Sequence, residues 1–178
     1  MSILRILQYP DPLLRRKGMQ VTDFGADFQK TVDDMFETHY AETACAALAA
    51  TQLAIPNAPA VTVIDFSEQH DQPLCLVNPR IVEASGELLE EEACMSVGQA
   101  GERISAAVKR ATRIRVQAQD RHGQDLDFEA VDFMAKCIQH ELDHLQGKLF
   151  IDHLSPLKRE RLVALLREQT KAKKASRR

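Results

Sequence analysis

A chain of 178 residues and 20.0 kDa, with 44% hydrophobic and 28% charged residues, has the makeup of one globular domain and not of a disordered, fibrous or repeat protein. A domain of this size buries about two-thirds of the surface its unfolded chain exposes, so folding alone needs no metal and any metal site is free to serve chemistry. The longest apolar run, Ala44 to Ala50, falls far short of the ~20 residues of a membrane span, and Arg5 and Pro10 interrupt the start before a signal-peptide core forms; a soluble, cytoplasmic protein is expected.

In chain order, Ser2 to Gly18 with Pro10 and Pro12 reads as extended chain and turns, because proline disfavours helix for the residue before it. From about Gly25 to Thr43, Phe28, Val32, Met35, Phe36 and Tyr40 recur at helical spacing and predict an amphipathic helix. A small-residue stretch, Ala44 to Gln52, follows. The period then changes. Ala60 to Phe66, Pro73 to Val77, Arg80 to Ala84 and Arg113 to Gln119 are rich in Val and Ile or alternate polar with apolar residues, which predicts strands. Arg121, His122 and Gly123 form a turn into a further strand, Asp125 to Ala130, so those last two strands pair antiparallel. A second helix is expected over Val131 to Gln146, with Met134, Ile138, Leu142 and Leu145 as its apolar stripe and Gly147 as the left-handed residue that ends it. Ser155 as N-cap and Pro156 at the first helical position announce a third helix, apolar at Leu162, Leu165 and Leu166. Strands grouped between helices, without regular alternation, predict an α+β domain.

Cys45, Cys75, Cys94 and Cys137 form no CxxC pair, which argues against a disulfide framework; each alone reads as a small buried hydrophobe. Charge is uneven along the chain. Residues 158–178 carry nine Lys and Arg against Glu160 and Glu168, a charge of +7 in a chain of net charge -3, which leaves the preceding body at -10. The expected organisation is therefore a body, 1–157, and a basic C-terminal helix and tail, 158–178. The tail reads either as a solvated, fraying end or as a contact for an anionic partner such as RNA. Lys171, Lys173, Lys174, Arg177 and Arg178 are expected to extend past the body without structure of their own.

His140-Glu141-Leu142-Asp143-His144 is an H-E-x-x-H pattern inside the second predicted helix. Positions i and i+4 share one face about 6 Å apart in rise, so two imidazoles can converge on one metal. A catalytic centre of this kind needs a third protein ligand and an open position for water. Cys137 is too far along the helix: positions i, i+3 and i+7 span ~10.5 Å of rise, beyond a short cysteine arm. Cys45, Cys75, Cys94 and the carboxylates all remain open as the third ligand.

Three segments resemble one family. Gln139 to Leu145 followed by Gly147-Lys148-Leu149-Phe150 resembles the third motif of bacterial peptide deformylases, Leu48-Ala49-Ala50-Thr51-Gln52 the core of the first, and Glu91-Glu92-Ala93-Cys94-Met95-Ser96 the second. The likeness extends to Val32 to Thr38 and Leu154 to Lys158. It implies antiparallel strands packed around a central metal-binding HExxH helix, with an N-terminal and a C-terminal helix. It further implies that Cys94, His140 and His144 hold one divalent metal ion, Fe2+ foremost with Ni2+ or Zn2+ as alternatives that a mixed Cys/His donor set does not separate. Glu141 is the implied general base, and the Gln52 amide and Met95 backbone N–H the implied donors to an oxyanion. The implied reaction is hydrolysis of the N-terminal formyl group of formyl-methionine on nascent polypeptides. The implied partner is the ribosome near its exit tunnel, met through the basic C-terminus; neither a membrane nor DNA is expected as a partner.

The chain also departs from the family pattern. Cys45, Ala47 and Ala93 stand where the motifs usually have glycine, which adds side chains where backbone approaches substrate or metal closely. Ala47, Glu90, Phe133 and Lys136 are expected at the substrate pocket, and Glu90 and Lys136 replace residues that are usually aliphatic. Burying unpaired charge beside a thioether is unfavourable, so a second reading keeps the fold and metal but changes the acyl-peptide specificity, or leaves a binding protein with little activity.

Overall fold

The computed structural model describes residues 2–43, 45–99 and 102–176. In chain order α1 is Ala26–Ala41, β1 Ala47–Ala49, β2 Val61–Ile64, β3 Leu74–Ser85, β4 Leu88–Gln99, β5 Glu102–Arg110, β6 Arg113–Gln119, β7 Asp125–Val131, α2 Asp132–Leu145 and α3 Pro156–Ser176. Five strands form one antiparallel sheet in the order β1-β2-β3-β6-β7, and β4 and β5 form a separate two-stranded ribbon. The fold is α+β, as the grouping of strands predicts. Among the described residues no helix is long and apolar enough to cross a membrane, and the four cysteines are free.

Successive strand residues face opposite sides of a sheet, and here each side takes a helix. Val61 and Val63 pack with Val32 and Met35 of α1, whereas Ile64 and Leu76 pack with Ile138 and Leu142 of α2. Strand β2 is consequently buried along its whole length. A third cluster joins Leu14, Val97 and Val108 to Phe150, Ile151, Leu162 and Leu166. That cluster ties the C-terminal helix to the ribbon.

Helix α2 begins where β7 ends and stops as expected at Gly147, whose φ is +73°. A side chain there would collide with the backbone carbonyl of Arg15, so glycine is required by both conformation and space. Several expectations need correction. The two segments Pro73 to Val77 and Arg80 to Ala84 are one strand, β3, bent at Asn78 (φ +50°) where its register against β6 shifts; the bulge breaks the alternation but not the strand. Strands β1, β4 and β5 have no counterpart among the predicted elements. Leu165 is exposed while Leu162 and Leu166 are buried. Helix α3 runs to Ser176, so Lys171, Lys173 and Lys174 belong to a helix and not to unstructured chain, while Arg177 and Arg178 lie outside the described residues.

Candidate metal centre

Two elements from different parts of the fold build the site. Helix α2 carries His140 and His144 one turn apart, with ring centroids 4.9 Å apart in an edge-to-face arrangement and their Nε2 atoms 3.2 Å apart. Strand β4 brings Cys94 Sγ to 3.2 Å from His144 Nε2. The donor atoms of Cys94, His140 and His144 all lie within 4.8 Å of one another. Along β4 the inward positions are Glu92, Cys94 and Ser96, all buried, so the strand's period of two delivers polar groups to one place. Cys137 lines the same cleft but stands outside the trio, as the helix rise requires.

His140 and His144 are held from behind. His140 Nδ1 donates to Glu92 Oε2 at 3.0 Å, which leaves the Nε2 lone pair facing the other two donors. Arg110 grips Glu92 with two bonds, Nε to Oε1 at 2.7 Å and Nη2 to Oε2 at 3.1 Å, and reaches Asp143 Oδ2 at 2.6 Å with Nη1. His153 Nε2 lies 2.6 Å from the same Asp143 oxygen. Burial alone raises the pKa of Glu92, but the hydrogen bonds from His140 and Arg110 overcome it and hold the carboxyl at about 2. Thr51 Oγ1 donates to the His144 carbonyl at 2.8 Å and secures the last turn of α2.

Burial opposes a charge on either ring, yet hydrogen bonds to Cys94 and Glu92 push His140 well above its ordinary pKa, while burial and the neighbouring His140 push His144 well below. Burial lifts the Glu141 carboxyl to about 7, and its Oε2 is buried without a hydrogen-bond partner. An orphaned acceptor beside three convergent ligands is where a water would sit in a centre with an open position. Gln52 is locked by its Oε1, which accepts from the Ala49 N–H at 2.8 Å; its Nε2 faces Ser96 Oγ at 3.2 Å and Cys94 Sγ at 3.6 Å. The residues present thus fit one metal ion.

A cleft of about 210 Å³ opens onto this centre. Of the residues expected at the substrate pocket, Ala47, Phe133 and Lys136 line it and Glu90 does not. Glu90 and Lys136 correct the expectation of unpaired buried charge: Lys136 Nζ donates to Glu90 Oε2 at 2.6 Å, with the Glu90 side chain 44% exposed. The changes from glycine also carry no backbone strain, because Cys45, Ala47 and Ala93 are not among the residues with positive φ. Sequence reasoning gave no role to Arg110 and His153, which lie in no motif, nor to Glu92, Ser96 and Asp143, which lie inside the second and third motifs.

Two histidines one helical turn apart, a thiol facing them and a buried carboxylate between them define a metal-dependent hydrolase. A family model described as polypeptide deformylase matches residues 3–160. Peptide deformylase 1 of Coxiella burnetii is 56% identical over 172 residues, 95% of this chain and 99% of that protein. The chain belongs to the polypeptide deformylase family. Among solved structures, a peptide deformylase from Legionella pneumophila superposes with a TM-score of 0.85 at 36% identity, covering 99% of both chains. One from Ehrlichia chaffeensis in complex with actinonin gives 0.80 at 31% identity, covering 94% of this chain and 98% of that one.

Proposed function

We propose that this protein removes the formyl group from the N-terminal formyl-methionine of nascent polypeptides, with Cys94, His140 and His144 holding one divalent ion, Fe2+ in the cell. The observation that carries the reading is the convergence of those three donors beside the unpartnered Glu141 oxygen at the mouth of a cleft. Held by Cys94, His140 and His144, such an ion would supply Lewis acidity to a water and to the formyl oxygen. Glu141, at about 7, takes the proton of the attacking water and returns it to the departing amine nitrogen, so that formate and a free N-terminus leave. Gln52 has its amide oxygen committed to Ala49, which turns its NH2 toward the centre; the N–H that faces Cys94 Sγ at 3.6 Å, exchanging that long contact, donates together with the Met95 backbone N–H to the oxygen that becomes negative as water adds to the carbon. Formate release from a formyl-Met peptide, with iron or nickel loaded in the absence of oxygen, tests the reading. Turnover with one metal per chain is expected, and no turnover with either metal removes it.

The methionine side chain enters past Phe133 and Lys136. An ion pair as exposed as Lys136–Glu90 contributes up to about 1 kcal/mol, and replacing both residues with isoleucine offers apolar surface to the thioether instead. Glu90→Ile/Lys136→Ile is expected to raise kcat/KM for formyl-Met peptides severalfold; an unchanged value places the pair outside the pocket. The paired charges also remove the main argument for a chain that has abandoned formyl-methionine.

The +7 C-terminal stretch supports a cytoplasmic contact with ribosomal RNA near emerging chains, with electrostatic attraction raising the local enzyme concentration. Truncation after Thr170 is expected to leave small-peptide kinetics nearly unchanged and to weaken ribosome binding, and full-length binding is expected to fall steeply with salt. Equal affinity of both forms, measured by ribosome co-sedimentation, makes the tail a solvated end.

A further inference from the structure

Cys45 lines the cleft but takes no part in the Cys94, His140 and His144 trio. Its Sγ lies 3.1 Å from His39 Nδ1 and 3.5 Å from Met95 Sδ, with the Ala47 carbonyl at 3.2 Å. On the far side of the ring, His39 Nε2 is 2.8 Å from the Asp65 carbonyl oxygen. A carbonyl only accepts, so Nε2 carries the proton and Nδ1 turns its lone pair toward the sulfur. His39 is 2% exposed, and burial lowers its pKa, keeping the imidazole neutral. The Cys45 thiol, from the segment before β1, thus lies against one imidazole nitrogen from α1 and one thioether from β4.

We propose that Cys45, His39 and Met95 form a second metal site, for one soft monovalent ion of the copper(I) type, in the wall of the substrate cleft. Thiolate, thioether and imidazole are the donors such ions select, and no oxygen donor belongs to the set. Spacing agrees, since the 3.1 and 3.5 Å separations bracket the 3.2 Å separations in the first centre. The His39 ring is oriented by donating its other N–H to a backbone carbonyl, the usual support of a ligand histidine. Charge decides the valence. Burial holds the Cys45 thiol up at about 12, so binding must displace its proton to solvent, and a monovalent ion balances the charge of the thiolate left in the buried site. Because Cys45 and Met95 both line the cleft, an ion there sits in its wall and narrows the path of a substrate.

The test uses enzyme already loaded with its divalent ion, titrated without oxygen with copper(I) buffered by bicinchoninate, with both metals counted and the copper environment read by X-ray absorption. One copper(I) per chain is expected, with two sulfurs and one nitrogen around it and the first metal retained. Cys45→Ser is expected to weaken binding by more than the ~10–100-fold that follows loss of an outer partner, and Met95→Leu to remove one sulfur from the spectrum. Copper(I) that displaces the divalent ion stoichiometrically, or that binds Cys45→Ser as tightly as the unaltered enzyme, overturns the proposal. Should Cys45→Ser fail to fold, the sulfur count in Met95→Leu decides: two sulfurs remaining reject the site. None of these readouts depends on deformylase activity.

Discussion

Glu141→Gln is expected to keep one divalent ion per chain and to release formate about 10²–10⁴-fold more slowly. Glutamine matches the shape of glutamate, and Glu141 is not among the three converging donors, so the ligand set is untouched. What the amide lacks is a basic oxygen. Burial lifts the Glu141 carboxyl to about 7, close to the pH at which a proton must be both accepted and returned, and its Oε2 has no competing hydrogen bond. Measured kcat together with metal content separates a lost base from a lost metal. Full activity in the variant would assign the proton to another group.

Arg110→Ala is expected to destabilise the metal-loaded protein by about 3–5 kcal/mol, as removal of one partner from a buried ionic network does. Arg110 and Glu92 are both buried, and the guanidinium binds Glu92 twice and Asp143 once. Without it, among the described residues, Glu92 keeps the His140 contact and Asp143 the His153 contact. Metal affinity is expected to fall by ~10–100-fold as well, because Glu92 orients a ligand. Arg110→Lys restores charge but not the paired geometry and is expected to recover only part of either loss. Denaturant unfolding checks the first effect and competition with a chelator the second. A loss under about 1 kcal/mol would show that water reaches the pair and screens it.

The helix bearing the H-E-x-x-H pattern was readable because its hydrophobic period, its stop at Gly147 and the spacing of its histidines all agree. Spacing leaves the third donor open among Cys45, Cys75, Cys94 and the carboxylates; only the resemblance of the segment around Cys94 to a family motif singles it out, and the fold sets its Sγ against the two imidazoles. Strand β4 escaped for a physical reason. Its inward positions Glu92, Cys94 and Ser96 are polar, so the alternation that betrays a strand by its apolar face was spent on the site. Arg110 sits at the end of β5 with partners 18 and 33 residues away, a placement that no local pattern encodes. The same holds for Lys136 and Glu90, which look like two exposed charges in sequence and are one ion pair in space.

The three converging donor atoms come from two parts of the fold: Cys94 from the ribbon, and the histidines from a helix packed on the five-stranded sheet. An ion held between them binds the folded chain and not the unfolded one, and at a hundredfold excess over its Kd such a ligand adds about 2.7 kcal/mol of stability. A difference of that size changes how often the chain opens to cellular proteases. Shortage of the ion is therefore expected to lower the amount of the protein as well as its turnover.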